Sequence, residues 1–123
     1  LIGLFVAAQK MGFILVPLNY RLASAEITAI IHDAKPSLII TEDKFKHLLN
    51  PIFDDLVIPL SSIKINSQNL PDKVVRVEDD DPIFIIYTSG TTGLPKGVKY
   101  THKMAFWNSI NTSISLNISA AIW

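Results

Sequence analysis

The chain has 123 residues, and eleven Lys+Arg against eleven Asp+Glu leave no formal net charge at pH 7. A nucleic-acid binder would need a basic excess to neutralise phosphates, and a disordered acidic chain would not carry 49% hydrophobic and only 18% charged residues, so both classes are excluded. Without cysteine there is no disulfide framework, no thiolate metal site and no cysteine nucleophile.

Both ends are apolar, Leu1-Ile2-Gly3-Leu4 and Ala120-Ala121-Ile122-Trp123, where ordinary domain termini are exposed and polar. The expectation is a piece of a larger domain, cut through buried elements. Residues 1–18 are mostly apolar, which raises a membrane span or a signal peptide as an alternative. Gln9 and Lys10 sit mid-segment and Gly12 and Pro17 interrupt it, so a buried helix followed by a strand is the better reading.

Leu1, Leu4, Phe5 and Ala8 recur at i, i+3, i+4 and i+7, one face of a helix, and Gly12 is placed to cap it. Phe13-Ile14-Leu15-Val16 predicts a short strand buried on both faces, closed by Pro17 and followed by the polar loop Asn19-Tyr20-Arg21. Ser24 is the expected cap of the next helix, with Glu26 in its first turn and Ile27, Ile30, Ile31 and Ala34 on one face. Pro36 stops it. Ser37-Leu38-Ile39-Ile40 predicts a second buried strand. Thr41 then caps a short helix carrying Phe45, Leu48 and Leu49 and ended by Asn50-Pro51, and 56–60 predict a third strand.

Strand and helix alternate over short connections, the pattern of βαβ units in a mostly parallel α/β sheet. Residues 61–73 are polar and irregular. The acidic run Glu78-Asp79-Asp80-Asp81-Pro82 leads into the strand Ile83-Phe84-Ile85-Ile86-Tyr87. After a loop of small residues, Gly97-Val98-Lys99-Tyr100 alternates like a returning strand, and Thr101 caps a last helix with Phe106, Trp107, Ile110 and Ile114 on one face.

Between those strands stands Thr88-Ser89-Gly90-Thr91-Thr92-Gly93-Leu94-Pro95-Lys96-Gly97, which holds three of the five glycines, four hydroxyl side chains and one lysine. Glycines let backbone N–H groups approach an anion, hydroxyls donate to phosphate oxygens, and Lys96 supplies a compact positive charge for a β- or γ-phosphate. The same residues also make an ordinary flexible hairpin tip. Two common phosphate patterns are ruled out. Counting G-x-x-x-x-G-K-[ST] from Gly90 puts Pro95 at the second glycine and Gly97 after the lysine, and G-x-G-x-x-G is absent.

The twelve residues from Tyr87 through Val98 resemble, without a departure, the phosphate-loop signature of the adenylate-forming superfamily. That superfamily comprises acyl- and aryl-CoA synthetases, adenylation domains of nonribosomal peptide synthetases, and firefly-type luciferases. Upstream, Gly12-Phe13-Ile14-Leu15-Val16-Pro17-Leu18-Asn19-Tyr20-Arg21-Leu22 resembles the family's glycine–apolar–Pro-Leu-Asn segment at the family's spacing. The resemblance implies that residues 1–123 form part of the large N-terminal, AMP-binding domain, with the C-terminal domain and the rest of the chain lying elsewhere.

It also implies a reaction in two steps. A carboxylate attacks the α-phosphorus of ATP to give an acyl-adenylate and pyrophosphate, and a thiol then displaces AMP to form a thioester. Thr88, Ser89, Gly90, Thr91, Thr92, Gly93 and Lys96 would contact the ATP phosphates, with Mg2+ bridging oxygens. The family's aromatic-Gly-x-Thr-Glu motif, ribose-binding aspartate, hinge residue and adenylation lysine are not in these 123 residues. No catalytic residue is therefore assigned, and these residues alone are expected to be inactive and poorly folded, with open sheet edges and bare apolar helix faces.

Pro17-Leu18-Asn19-Tyr20-Arg21 and the helix run Phe106-Trp107-Asn108-Ser109-Ile110-Asn111 look more like the fatty-acyl CoA ligases than like peptide-synthetase adenylation domains. On that likeness the expected partners are coenzyme A and a fatty or related carboxylic acid, and the expected location is cytoplasmic, with membrane association as the alternative. A non-catalytic relic or regulatory module of the same fold, another adenylate-forming enzyme and a stand-alone phosphate-binding domain stay open. His32, His47 and His102 are too scattered for a metal site, and His102 suits packing or capping. The acidic run lacks the alternating ligands and glycine of a calcium loop and suits a solvated turn. Phe106 and Trp107 suit the core.

Overall fold

The computed structural model describes residues 2–64, 75–89 and 95–116, which fold into two compact units. The first is formed by Leu1–Leu15, Lys73–Ile86 and Val98–Trp123, and the second by Val16–Asp72 and Tyr87–Gly97. No helix of the described residues is long and apolar enough to cross a membrane.

In the first unit, helix α1 (Ile2–Met11) buries Ala8 and ends as its spacing predicts. Gly12 takes φ +70° and its N–H donates to Ala8 O at 2.9 Å. A Cβ built there would stand 3.2 Å from Val75 Cγ1, so both the left-handed backbone and the close approach call for glycine.

The expected strand at 13–16 shrinks to one parallel bridge between Leu15 and Phe84. Leu15 N donates to Ile83 O and Ile85 N to Leu15 O, both at 2.8 Å. Phe13 and Ile14, expected to be buried on both faces, are 40% and 46% exposed. A four-residue apolar run does not by itself specify two sheet neighbours, and this one pairs at a single residue.

The second unit holds helix α2 (Ser24–Ala34) and the parallel strands β1 (Ile39–Thr41) and β2 (Val57–Pro59), in register from Ile39 with Val57 to Thr41 with Pro59. Two 3-10 helices, Asp43–Leu48 and Pro51–Leu56, lie between the strands. Ile27, Ile31, Ile39 and Phe53 form the core, with Leu18, Leu22, Leu48, Leu49, Leu56 and Val57 packed against it.

Two expected caps move. Ala23 is the N-cap of α2, with only its backbone N–H held, by Glu26 Oε2 at 2.8 Å. The Ser24 hydroxyl donates instead to Leu48 O at 2.7 Å. Glu42, not Thr41, precedes the first 3-10 helix, and Asn50 opens the second by accepting from Ile52 N at 3.1 Å. α2 ends at Lys35, which takes φ 47° just before Pro36 and donates its N–H to Ile31 O. Leu60–Ser62 adds one 3-10 turn, and of the irregular stretch 61–73, residues 65–73 lie outside the described ones.

Strands β3 (Pro82–Ser89) and β4 (Pro95–Thr101) make a two-stranded sheet. Each begins on a proline, which has no N–H to give a ladder and suits a first strand position. Ile83 is fully buried. Phe84 stacks on Tyr100 with centroids 4.5 Å apart and planes 4° from parallel, and lies 5.7 Å from Phe5.

Helix α3 (His102–Ser115) starts as expected at Thr101, whose Oγ1 accepts from Met104 N at 3.3 Å. The amides of His102 and Lys103 donate to the carbonyls of Asp81 and Asp79, and Asp81 Oδ2 in turn accepts from Glu78 N. Phe106 and Trp107, expected in the core, are 58% and 54% exposed instead.

Candidate functional site

The loop sequence is carried by the paired strands β3 and β4. Thr88, near the end of β3, is exposed, and Ser89 is the last residue of that strand. Lys96 is the second residue of β4 and is exposed. Gly90, Thr91, Thr92 and Gly93 lie outside the described residues, so the arrangement of the tip is not described. The fold thus places two hydroxyl residues and the lysine on the two strands of one sheet, flanking residues 90–94.

Side chains alternate along a strand. Ile83 and Ile85 are turned inward and Ile86 outward; Tyr87 is again half-buried and Thr88 again exposed. Tyr87 therefore reaches back into the protein while its neighbour Thr88 faces solvent. The Tyr87 hydroxyl donates to Asp33 Oδ2 at 2.5 Å. Burial, the hydrogen bond to Asp33 and the negative charge of Asp33, in that order, push the phenol up from 10.0 to about 12.

Asp33 is the residue that sequence reasoning missed. It lies in α2, 54 positions from Tyr87. Within α2 it is one more exposed polar residue, and no local pattern separates it from a solubilising carboxylate.

The second quoted segment has a structural role on this geometry. Asn19 Oδ1 accepts from Arg21 N at 3.0 Å and Asn19 O from Leu22 N at 3.1 Å, a turn that delivers Leu18 and Leu22 to the core below α2. Tyr20 stacks on Phe45 at 5.1 Å.

The remaining candidates resolve into structure. His32 meets the edge of Phe53 at 5.2 Å, and the backbone N–H of His102 helps to close the start of α3. The acidic run is the expected turn, held by its own backbone and by α3. An open depression of about 420 Å³ is lined by Glu42, Asp43, Lys44, Leu60 and Ser61. Its charges are engaged locally, Lys44 with Glu42 at 2.7 Å and Asp43 with the Ser61 hydroxyl at 3.3 Å. Among the described residues no three His, Asp or Glu side chains converge.

With this geometry in view, comparison with known proteins is informative. The family model described as AMP-binding enzyme matches residues 1–121. A D-alanine–D-alanyl carrier protein ligase of Streptococcus pyogenes serotype M5 (strain Manfredo) is 38% identical over 106 residues, 83% of this chain and 20% of the relative. The chain thus spans about a fifth of the length of the curated relatives it matches.

Among solved structures, VinN in complex with L-aspartate superposes with a TM-score of 0.84 at 27% identity, covering 97% of this chain and 32% of that one. A fatty acyl-adenylate ligase from L. pneumophila, solved with acyl adenylate and pyrophosphate, gives 0.73 at 26%, covering 94% and 21%.

Proposed function

This chain belongs to the AMP-binding enzyme family, and from that premise we propose that it is the phosphate-loop part of an ATP-dependent ligase that makes an acyl-adenylate. The observation that carries the reading is the unbroken run of residues 87–98, set on β3 and β4 with Thr88 and Lys96 exposed. The relative solved with acyl adenylate and pyrophosphate supports it.

In this reading a substrate carboxylate oxygen attacks the α-phosphorus of ATP, the bond from that phosphorus to the bridging oxygen breaks, and pyrophosphate leaves with the electron pair. Charge builds on the departing oxygens. Lys96, the hydroxyls of Thr88, Ser89, Thr91 and Thr92 and the amides of Gly90 and Gly93 stabilise it, which is electrostatic catalysis by positioned donors. Adenosine binding and the remaining chemistry belong to a larger protein, of which residues 1–123 are part of the N-terminal domain.

The acceptor in the second step is a thiol. We assign it to coenzyme A, and the acid to the fatty or related class, on the residues Pro17-Leu18-Asn19-Tyr20-Arg21. The 38% identity to a D-alanine–D-alanyl carrier protein ligase favours a second reading, in which the acceptor is a carrier protein and the acid an amino acid.

The test is pyrophosphate release by the full-length protein with ATP, across a panel of fatty, aryl and amino acids. Release that depends on one acid is expected. Lys96→Ala should lower kcat/KM about a hundredfold, the scale for losing one donor to developing charge. ATP consumption without pyrophosphate, or none with any acid, overturns the reading. Adding coenzyme A or a carrier protein in the same assay separates the two acceptors.

A further inference from the structure

We propose that Asp33 is a positioning residue for the phosphate loop, acting through the hydroxyl of Tyr87; this rests on the reading of residues 88–96 as a polyphosphate site. The geometry is specific. Asp33 sits in the last turn of α2, a helix fastened by Ile27, Ile30 and Ile31, each at most 3% exposed. Tyr87 is the residue immediately before Thr88, and its hydroxyl is held by Asp33 Oδ2.

Because successive strand residues point to opposite faces, fixing the Tyr87 ring on the inner side fixes the direction in which Thr88 points outward. The tether therefore gives a glycine-rich tip a rigid starting point. A binding group fixed in advance loses less freedom when the ligand arrives. A carboxylate acceptor makes the anchor stronger than a neutral pair would. The tyrosine itself touches no phosphate in this scheme. It transmits the position of α2 to the loop.

The test uses the full-length protein and four single variants, Tyr87→Phe, Asp33→Ala, Asp33→Asn and Lys96→Ala, plus the double variant Tyr87→Phe/Asp33→Ala. ATP KM and kcat come from pyrophosphate release, and affinities for inorganic pyrophosphate and for AMP from calorimetric titration. Tyr87→Phe and Asp33→Ala should each raise ATP KM and weaken pyrophosphate about tenfold, the scale of one hydrogen bond to a charged group. AMP affinity should stay within about twofold, since AMP lacks the phosphates the loop would grip, whereas kcat should fall along with pyrophosphate affinity because the same donors meet the departing charge. The double variant should be no worse than either single one, and Asp33→Asn, which keeps an acceptor oxygen, should restore most of the loss.

Equal losses of AMP and pyrophosphate affinity would make the bond a general fold staple and overturn the proposal, as would additive effects in the double variant. Unchanged ATP KM in Tyr87→Phe and Asp33→Ala, with Lys96→Ala still impaired, overturns the tether while leaving the loop reading intact. If Lys96→Ala also binds ATP and pyrophosphate normally, the loop reading fails and the proposal with it.

Discussion

In α2 the apolar positions Ile27, Ile30 and Ile31 are at most 3% exposed, whereas in α3 Phe106, Trp107 and Ile114 stand 54% to 73% exposed. Both helices show the i, i+3, i+4 spacing that marks an amphipathic face. α2 meets the strand pair β1 and β2 and the 3-10 helix that carries Phe53, and its Ile27 and Ile31 close a core. On α3 only Ile110 of the matching face is half-buried, and Trp107 stacks edge-on against its neighbour Phe106 at 5.6 Å. Sequence periodicity therefore identifies the face a helix offers, and only the presence of a second layer turns that face into stability. A fully buried isoleucine contributes roughly 1.5–3 kcal/mol, and an exposed one contributes little.

The comparison can be broken most directly in the core. Ile31→Ala should destabilise by about 3 kcal/mol, the middle of the range for emptying a packed aliphatic site, read as a lower denaturant midpoint with unchanged slope. A loss below about 1 kcal/mol would mean that α2 is no better packed than α3.

The helix ends come next. Gly12→Ala puts a Cβ against Val75 in a left-handed backbone and should cost about 1–2 kcal/mol, while Lys35→Gly, at φ 47°, should gain up to about 1 kcal/mol. If the two changes have the same sign in thermal melts, backbone conformation is not what sets these caps.

A smaller, pH-dependent effect belongs to Tyr87. Its folded value of about 12 lies above the ordinary 10.0. The stabilisation it gives is fully present below pH 10 and disappears as the pH rises through about 12. The difference in phenolate absorbance between the wild type and Tyr87→Phe should have its midpoint near 12, and a midpoint at 10.0 would show that the hydroxyl is free.

The smallest effect is expected on the bare helix. Phe106→Ser, at a 58% exposed position, should change stability by no more than about 0.5 kcal/mol. A larger loss there would reveal packing against α3 beyond the contacts described.

Much of this fold was legible in the sequence because its signals are local. The i, i+3, i+4 runs mark α1, α2 and α3, Gly12 and Thr101 cap as their types suggest, the apolar run 83–87 marks β3 and the alternation at 97–100 marks β4. What the sequence left unread depends on partners far along the chain. Ser24 has the right side chain for a cap, but Leu48 O offers its hydroxyl an acceptor 24 residues away, and Ala23 takes the cap position instead. The apolar run 13–16 looks like a buried strand until its pairing is seen to stop at Leu15 and Phe84. The loop could be read as a string of residue types suited to phosphate. The carboxylate holding Tyr87, just before the loop, could not, since nothing local distinguishes Asp33 from any other charge on α2.

The start of α3 bears on how such a protein can change by mutation. Helix N-termini are ready-made anion sites because their amides lack partners. Here the amides of His102, Lys103 and Met104 are already taken by the carbonyls of Asp81 and Asp79 and by the Thr101 hydroxyl. An anion arriving there would have to displace those acceptors and approach two carboxylates. Selection for anion binding could not readily recruit this helix. Within the acidic turn the Asp81 carboxylate also holds Glu78 N, so the turn's side chains and backbone together keep α3 closed.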